Sequence, residues 1–259
     1  MSEVVLLEVT GPVALITLNR PGARNALSSE LLSRLTETMS RADADDAVDA
    51  IILTGADPAF CAGLDLKELG SGGGPGPMPD FRRDDGTRGP FGATAKPVIG
   101  AINGVAVTGG LELALACDFL IASDRARFAD THARVGIQPG WGLTVLLPEA
   151  IGMRRAREMS ATGNFVDAAT ALQWGLVNHV VAHDELLGFA KQLAGDIASN
   201  DGRAVRQIYA TYDDNSLATP REGWETEGRV VARWNDGHFS ASDIESRRAK
   251  VAERGRDQL

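Results

Sequence analysis

The sequence predicts an α/β fold with a largely parallel sheet. Two observations lead there. Short β-rich runs alternate with helical stretches from residue 4 to about residue 195, and the chain beyond that reads as helix. Alternation of this kind implies βαβ units. Val4–Val9 and Val13–Asn19, joined by Thr10-Gly11-Pro12, form a predicted hairpin. A helix follows from Ser28, its N-cap, to about Arg41, with Leu31, Leu32, Leu35 and Met39 on one face. Ala50–Leu53 is a short buried strand ending at Thr54-Gly55. Residues 70–92 break the pattern with a Gly/Pro run and a polar stretch, and are expected to be a mobile loop. Order resumes with a strand at Pro97–Ala101, a helix from about Gly109 to Cys117, and strands at Phe119–Ala122 and Ala126–Ala129. A turn at Pro139–Gly142, helical sequence from Leu143, a helix at Val166–Trp174 and a strand at Leu176–Val181 come next. Amphipathic helices are expected around Leu186–Ile197, Arg203–Tyr209 and Trp224–Trp234. No internal repeat of fixed period is visible. The expected organisation is a core over residues 1–195 and a helical region over 196–259.

The bulk numbers narrow the function classes. A chain of 259 residues, 44% hydrophobic and 24% charged, can bury one sizeable core plus an appendage. A net charge of −9 argues against a nucleic-acid surface, which needs a basic stripe. An anionic ligand stays possible, because a few local cations can hold phosphates. Cys61 and Cys117 lie far apart, so neither a disulfide framework nor a clustered metal site is readable. The first ten residues carry no basic n-region and no small-residue cleavage site. No apolar run reaches the roughly 20 residues a membrane span needs. A cytoplasmic protein with no membrane and no nucleic-acid partner is expected.

Two segments concentrate the residues that chemistry would use. In Gly100–Asp118 a strand runs through small residues into Gly109-Gly110, which open a helix. The first turn of a helix has unpaired backbone N–H groups and a partial positive charge. Glycine there lets a ligand oxygen approach closely. Glu112 lies in the same turn, so a carboxylate and an oxyanion donor share one spot. The spacing equally describes a tight helix–strand contact beside a solvated glutamate. The second segment, Pro58–Leu69, repeats the design: small residues and Gly63 after a strand, before a helix start. It could supply a second N–H donor, or be a plain connection.

Taken together these segments resemble the crotonase superfamily, the enoyl-CoA hydratase/isomerase family. The resemblance covers nearly the whole chain. It includes Asn19-Arg20-Pro21 with Asn25-Ala26-Leu27, Ala62–Leu66, Asn103-Gly104 with Gly109–Ala114 and Cys117-Asp118, and then Phe128, Gly136, Pro139-Gly140 and the Ala168 to Val177 stretch. It implies a spiral of ββα units, with C-terminal helices that form homotrimers, often paired into hexamers. It implies an acyl-CoA substrate and an oxyanion hole made by the N–H groups of Leu64 and Gly110. Adenine would sit near Ala62 and Ala23, with Lys67 or Arg24 near the coenzyme's phosphates. No metal and no further cofactor is implied, since coenzyme A is part of the substrate. Attack at the β-carbon of an enoyl thioester puts charge on the carbonyl oxygen. Two preorganised donors can lower that barrier by about 3–4 kcal/mol each.

The chain departs from the two-glutamate hydratase pattern at one place. Glu112 matches the first glutamate, but the second falls on His132, in Phe128-Ala129-Asp130-Thr131-His132. A histidine can move a proton near neutral pH. Asp130, two residues back, would point to the same side of an extended segment and could orient His132 or act itself. Both could instead be polar loop residues. Trp141 would line the acyl pocket or simply pack. His179, His183 and His238 have no partner at motif spacing, Cys61 reads as a buried filler, and Asp118 as an anchor for the strand after it. The reaction expected first is hydration of a trans-2-enoyl-CoA. The rivals are isomerisation, hydrolysis or decarboxylation of an acyl-CoA, or acyl-CoA binding without catalysis.

Overall fold

A computed structural model describes residues 3–73 and 89–200, and beyond these residues 202–203, 205–209, 232, 242, 245, 248 and 256, all helical. The middle of the expected mobile loop, residues 74–88, and nearly all of the expected helix at Trp224–Trp234 lie outside the described residues.

The parallel sheet comes first from its apolar strands. β1 (Val5–Thr10) and β2 (Val13–Leu18) pair antiparallel as the expected hairpin. β2 then pairs in parallel with β3 (Ala50–Gly55), and β3 with β5 (Val98–Ile102), β5 with β7 (Phe119–Ser123), and β7 with β10 (His179–Val181). Every residue of β3 and β5 is buried. Both faces are covered, which is why these strands read as continuous apolar runs without alternation. Ile51 and Leu53 face the main core, with α1 (Ser29–Ala44). Ala50 and Ile52 face the other way, onto Leu186, Ala190 and Ala194 of α8 (Leu186–Ala198). α1 starts where expected: the Ser28 hydroxyl accepts the Leu31 N–H.

A second, four-stranded sheet makes the spiral. It runs β4 (Ala59–Cys61), β6 (Val105–Val107), β8 (Arg127–Ala129), β9 (Val166–Asp167). Thus β3/β4, β5/β6 and β7/β8 each place one strand in each sheet, and a short helix follows each pair: α2 (Leu66–Glu68), α3 (Gly109–Leu115) and α4 (His132–Val135). Three ββα turns result, as expected. The large strands begin at residues 50, 98 and 119, so the turns have unequal lengths and leave no fixed period in the sequence. The chain then forms α5 (Leu143–Ile151), α6 (Met153–Thr162) and α7 (Ala168–Trp174) before β10.

Three expectations shift. The helix at Val166–Trp174 gives its first two residues to β9, because the Asp167 carboxylate caps α7 through the Thr170 N–H and so ends the strand there. The strand at Leu176–Val181 begins only at His179; Leu176 and Val177 are occupied in closing the left-handed Gly175 cap of α7 against the core. Asp118 anchors β5 rather than β7, accepting the Val98 N–H at 2.6 Å. Among the described residues, no helix is long and apolar enough to cross a membrane.

Candidate active site

The three adjacent parallel strands of the small sheet end at Cys61, Val107 and Ala129. Leu64, Gly110 and His132 each lie three residues past one of those ends. The spiral therefore delivers the second donor, the first donor and the histidine from successive turns to one edge of one sheet.

The donor segments meet closely because glycine stands at the contacts. A Cβ on Gly110 would lie 2.1 Å from the Cys61 carbonyl oxygen, and one on Gly63 2.9 Å from that of Val107. No side chain fits either place. A Cβ on Gly109 would come 3.7 Å from the Leu64 nitrogen. Neither the Leu64 N–H nor the Gly110 N–H donates a hydrogen bond to any of the described residues. Two backbone donors with no partner among the described residues thus sit on abutting segments.

A brace holds the Leu64 segment. Asn25 is buried, and its side-chain amide donates to the Ala56 and Ala59 carbonyls at 2.8 and 2.7 Å, while its oxygen accepts the Arg20 N–H. The Arg20 guanidinium pairs with Asp65 at 2.9 Å. Leu27 bridges Leu64 from both sides, donating to the Gly63 carbonyl and accepting the Asp65 N–H. The Asn19–Leu27 motif is therefore scaffolding for the donor loop, a role its sequence did not disclose.

The acid–base groups form a buried chain. One Glu112 oxygen accepts the N–H groups of Gly140 and Trp141 at 3.1 and 2.8 Å. The other faces His132 Nε2 at 3.5 Å. His132 Nδ1 meets Asp130 Oδ1 at 2.7 Å. Burial disfavours the imidazolium, but the hydrogen bonds and charges of Asp130 and Glu112 outweigh it and raise His132 to about 9. Burial likewise pushes Asp130 up, yet the His132 contacts and the Ser160 hydroxyl win and hold its carboxyl below the usual range. The pair meets by a route other than the one expected. His132 opens α4 instead of continuing a strand, and Asp130 folds back to accept the His132 N–H at 3.1 Å, an Asx-type turn.

The remaining expected residues distribute unevenly. A cavity of about 310 Å³ is lined by Arg24, Ala62 and Leu64 together with Thr108, Thr131 and Arg134, and Arg248 and Arg256 reach it from the C-terminal region. Ala23 is half-buried beside it in sequence but is not in the lining. Lys67 is exposed and also outside it. Trp141 is buried against Gly109 rather than on the cavity wall, with its backbone on Glu112. Cys61 is buried and its thiol is pushed up to about 12, which fits a filler. Sequence reasoning missed Arg134, Arg248 and Arg256, whose arrival depends on tertiary packing, and the facing hydroxyls of Thr108 and Thr131.

The match that decides the family spans nearly everything described: the family model for enoyl-CoA hydratase/isomerase covers residues 8–244. The chain belongs to the enoyl-CoA hydratase/isomerase family. It is 43% identical over 229 residues to a probable enoyl-CoA hydratase of Rhizobium meliloti, covering 88% of each chain. It is 40% identical over 214 residues to a short-chain-enoyl-CoA hydratase of Clostridium acetobutylicum, covering 78% of each. A crystal structure of an enoyl-CoA hydratase from Mycobacterium avium superimposes with a TM-score of 0.82 at 49% identity, over 90% of this chain and 98% of that one. The crotonase fold is shared with that solved structure.

Proposed function

We propose that this chain adds water to a trans-2-enoyl-CoA to give a 3-hydroxyacyl-CoA, with Glu112 and His132 as the proton-moving pair. The observation that carries the reading is the Glu112–His132–Asp130 chain, buried beside two N–H donors that find no acceptor among the described residues. Glu112 takes a proton from water as the water oxygen bonds to the β-carbon. The π electrons move to the thioester oxygen, held by Leu64 N–H and Gly110 N–H. The imidazolium of His132 gives its proton to the α-carbon, which closes the thioester carbonyl again. Glu112 then returns its proton to His132, their 3.5 Å contact closing to hydrogen-bond reach in the substrate complex. Asp130 holds His132 in the tautomer and orientation this needs. No metal or redox cofactor enters; coenzyme A is part of the substrate.

Arg24 and Ala62 would seat the nucleotide end of coenzyme A, since both line the cavity. Ala23 and Lys67 would contribute only from its rim, as neither lines it. Trp141 would limit the acyl end through its packing on Gly109. Residues 196–259 are proposed as the oligomerisation region of a homotrimer or hexamer; a light-scattering mass near one 27.4 kDa chain would end that proposal.

The reaction is tested by mixing purified protein with crotonyl-CoA and following the enoyl absorbance. Loss of absorbance with formation of 3-hydroxybutyryl-CoA is expected. Binding without turnover on short and long enoyl-CoAs alike would replace this reading with acyl-CoA binding.

A further inference from the structure

Thr108 takes a backbone conformation that suits glycine, with φ 54° and ψ −119°. A β-branched residue holds such a conformation only where its surroundings over-determine it. Here its N–H donates to the Ala129 carbonyl, and its carbonyl accepts the Leu111 and Glu112 N–H groups, each at 3.0 Å. Its side chain is buried, and its hydroxyl bonds to the hydroxyl of Thr131. Thr108 and Thr131 are the N-cap residues of α3 and α4, the helices that carry Glu112 and His132. A threonine at an N-cap ordinarily bonds the first turn of its own helix. Neither does so here. Each hydroxyl is withdrawn from its own helix and given to the other.

We propose that the Thr108–Thr131 hydroxyl bond is a clasp that fixes the separation of Glu112 and His132, making both threonines positioning residues for proton transfer. The catalytic consequence rests on the hydration reading; the clasp itself does not. Its leverage follows from which contacts are local. Asp130 reaches His132 from two residues away, within one turn of chain, and is steadied from α6 by Ser160. Glu112 reaches His132 from a different helix at 3.5 Å, just beyond the range in which protons pass readily. Loosening the clasp therefore weakens the Glu112 contact and spares that of Asp130.

The test uses Thr108→Val and Thr131→Val, which keep the branched shape and remove the hydroxyl, with Thr108→Ser and Thr131→Ser as rescue variants. Losing one buried hydrogen bond in the clasp should lower kcat on crotonyl-CoA about tenfold, with KM changed less than twofold. The titration of His132, followed by NMR on labelled histidine, should move to lower pH in both valine variants and return in both serine variants. Thr131 has a negative φ, unlike Thr108, so Thr131→Val decides the matter should Thr108→Val fail to fold. A folded valine variant with the wild-type His132 midpoint overturns the clasp, whether or not kcat has fallen. If the wild-type chain hydrates nothing, the hydration reading fails alone and the midpoint still judges the clasp.

Discussion

Among the described residues, two histidines are held at both ring nitrogens, and they do different work. His132 lies between two carboxylates, Asp130 at 2.7 Å and Glu112 at 3.5 Å. His183 lies between one carboxylate and one hydroxyl, Asp57 at 3.0 Å and Ser123 at 3.0 Å. The first side chain is 6% exposed, and its carboxylates 4% and 3%. The second is 17% exposed and its aspartate 62%, so water screens that pair. Asp57 is also shared with the Asn103 amide. Burial works against the Asp57 carboxylate, but the Asn103 and His183 bonds still hold it below its ordinary range. The Asp57 carboxylate only accepts, so His183 Nε2–H donates to it, while the Ser123 hydroxyl meets Nδ1. The His183 cluster ties the loop after β3 and the end of β7 to the turn before α8. Similar bonding geometry gives a fastener in one place and a proton store in the other. What differs is the negative charge left in a dry site.

The sharpest way to break that contrast is at Glu112. Replacing it with glutamine keeps an oxygen for Gly140 and Trp141 but removes the base and one of the two charges that raise His132. We expect kcat for crotonyl-CoA hydration to fall by about 10³-fold; a fall of less than tenfold would take Glu112 out of the mechanism. His132→Asn comes next, with an expected loss of about 10²-fold. From neutral pH upward, wild-type kcat should stay level to about pH 9 and decline above it, as the imidazolium that serves as acid is lost. His132→Asn should lack that decline, and a variant with the same high-pH limb would assign it to another group.

Stability carries the same signature more weakly. His132 titrates near 6.5 when unfolded and is raised to about 9 in the fold, so its charged form stabilises the protein. That contribution is complete below about pH 6.5 and disappears as pH rises through about 9. Asp130 is lowered, so its contribution holds above its unfolded value of 3.8 and is lost on acidification. The melting temperature of the wild type should therefore drop between pH 6.5 and 9 by more than that of His132→Asn. Parallel curves would show that the two carboxylates do not favour the imidazolium.

The fold was legible because its causes are local. Ala50–Leu53 and Pro97–Ala101 are unbroken apolar runs, and only a sheet covered on both faces needs them. The donor glycines were legible too, from the small residues that surround Gly63 and Gly110 ahead of a helix start, although the strands just before them, β4 and β6, were not. The alignment of Leu64, Gly110 and His132 on one edge was not, because the ββα turns differ in length and the shared offset appears only once strand ends are known. Alternation along an extended segment pairs Asp130 with His132 for the wrong reason, since a turn supplies the contact. Lys67 was named from its position in a motif, but its helix α2 turns it outward. His183 looked partnerless because Asp57 is 126 residues away, a separation at which sequence spacing says nothing.

His183 offers the smallest effect and completes the contrast. His183→Ala deletes the contacts to Asp57 and Ser123 and leaves the buried Ser123 hydroxyl only its neighbours Asp124 and Arg125. Asp57 stays solvated and bound to Asn103, so most of the loss falls on the Ser123 side. A loss of about 1–2 kcal/mol follows for such a bond. In a chain of this size that lowers the melting temperature by about 2–8 °C. Hydration of crotonyl-CoA should remain within twofold of wild type, because no bond of His183 reaches Leu64, Gly110, Glu112 or His132. A tenfold fall in kcat with an unchanged melting temperature would reverse the assignment, placing the second histidine in the chemistry and leaving charge count unable to tell a proton donor from a fastener.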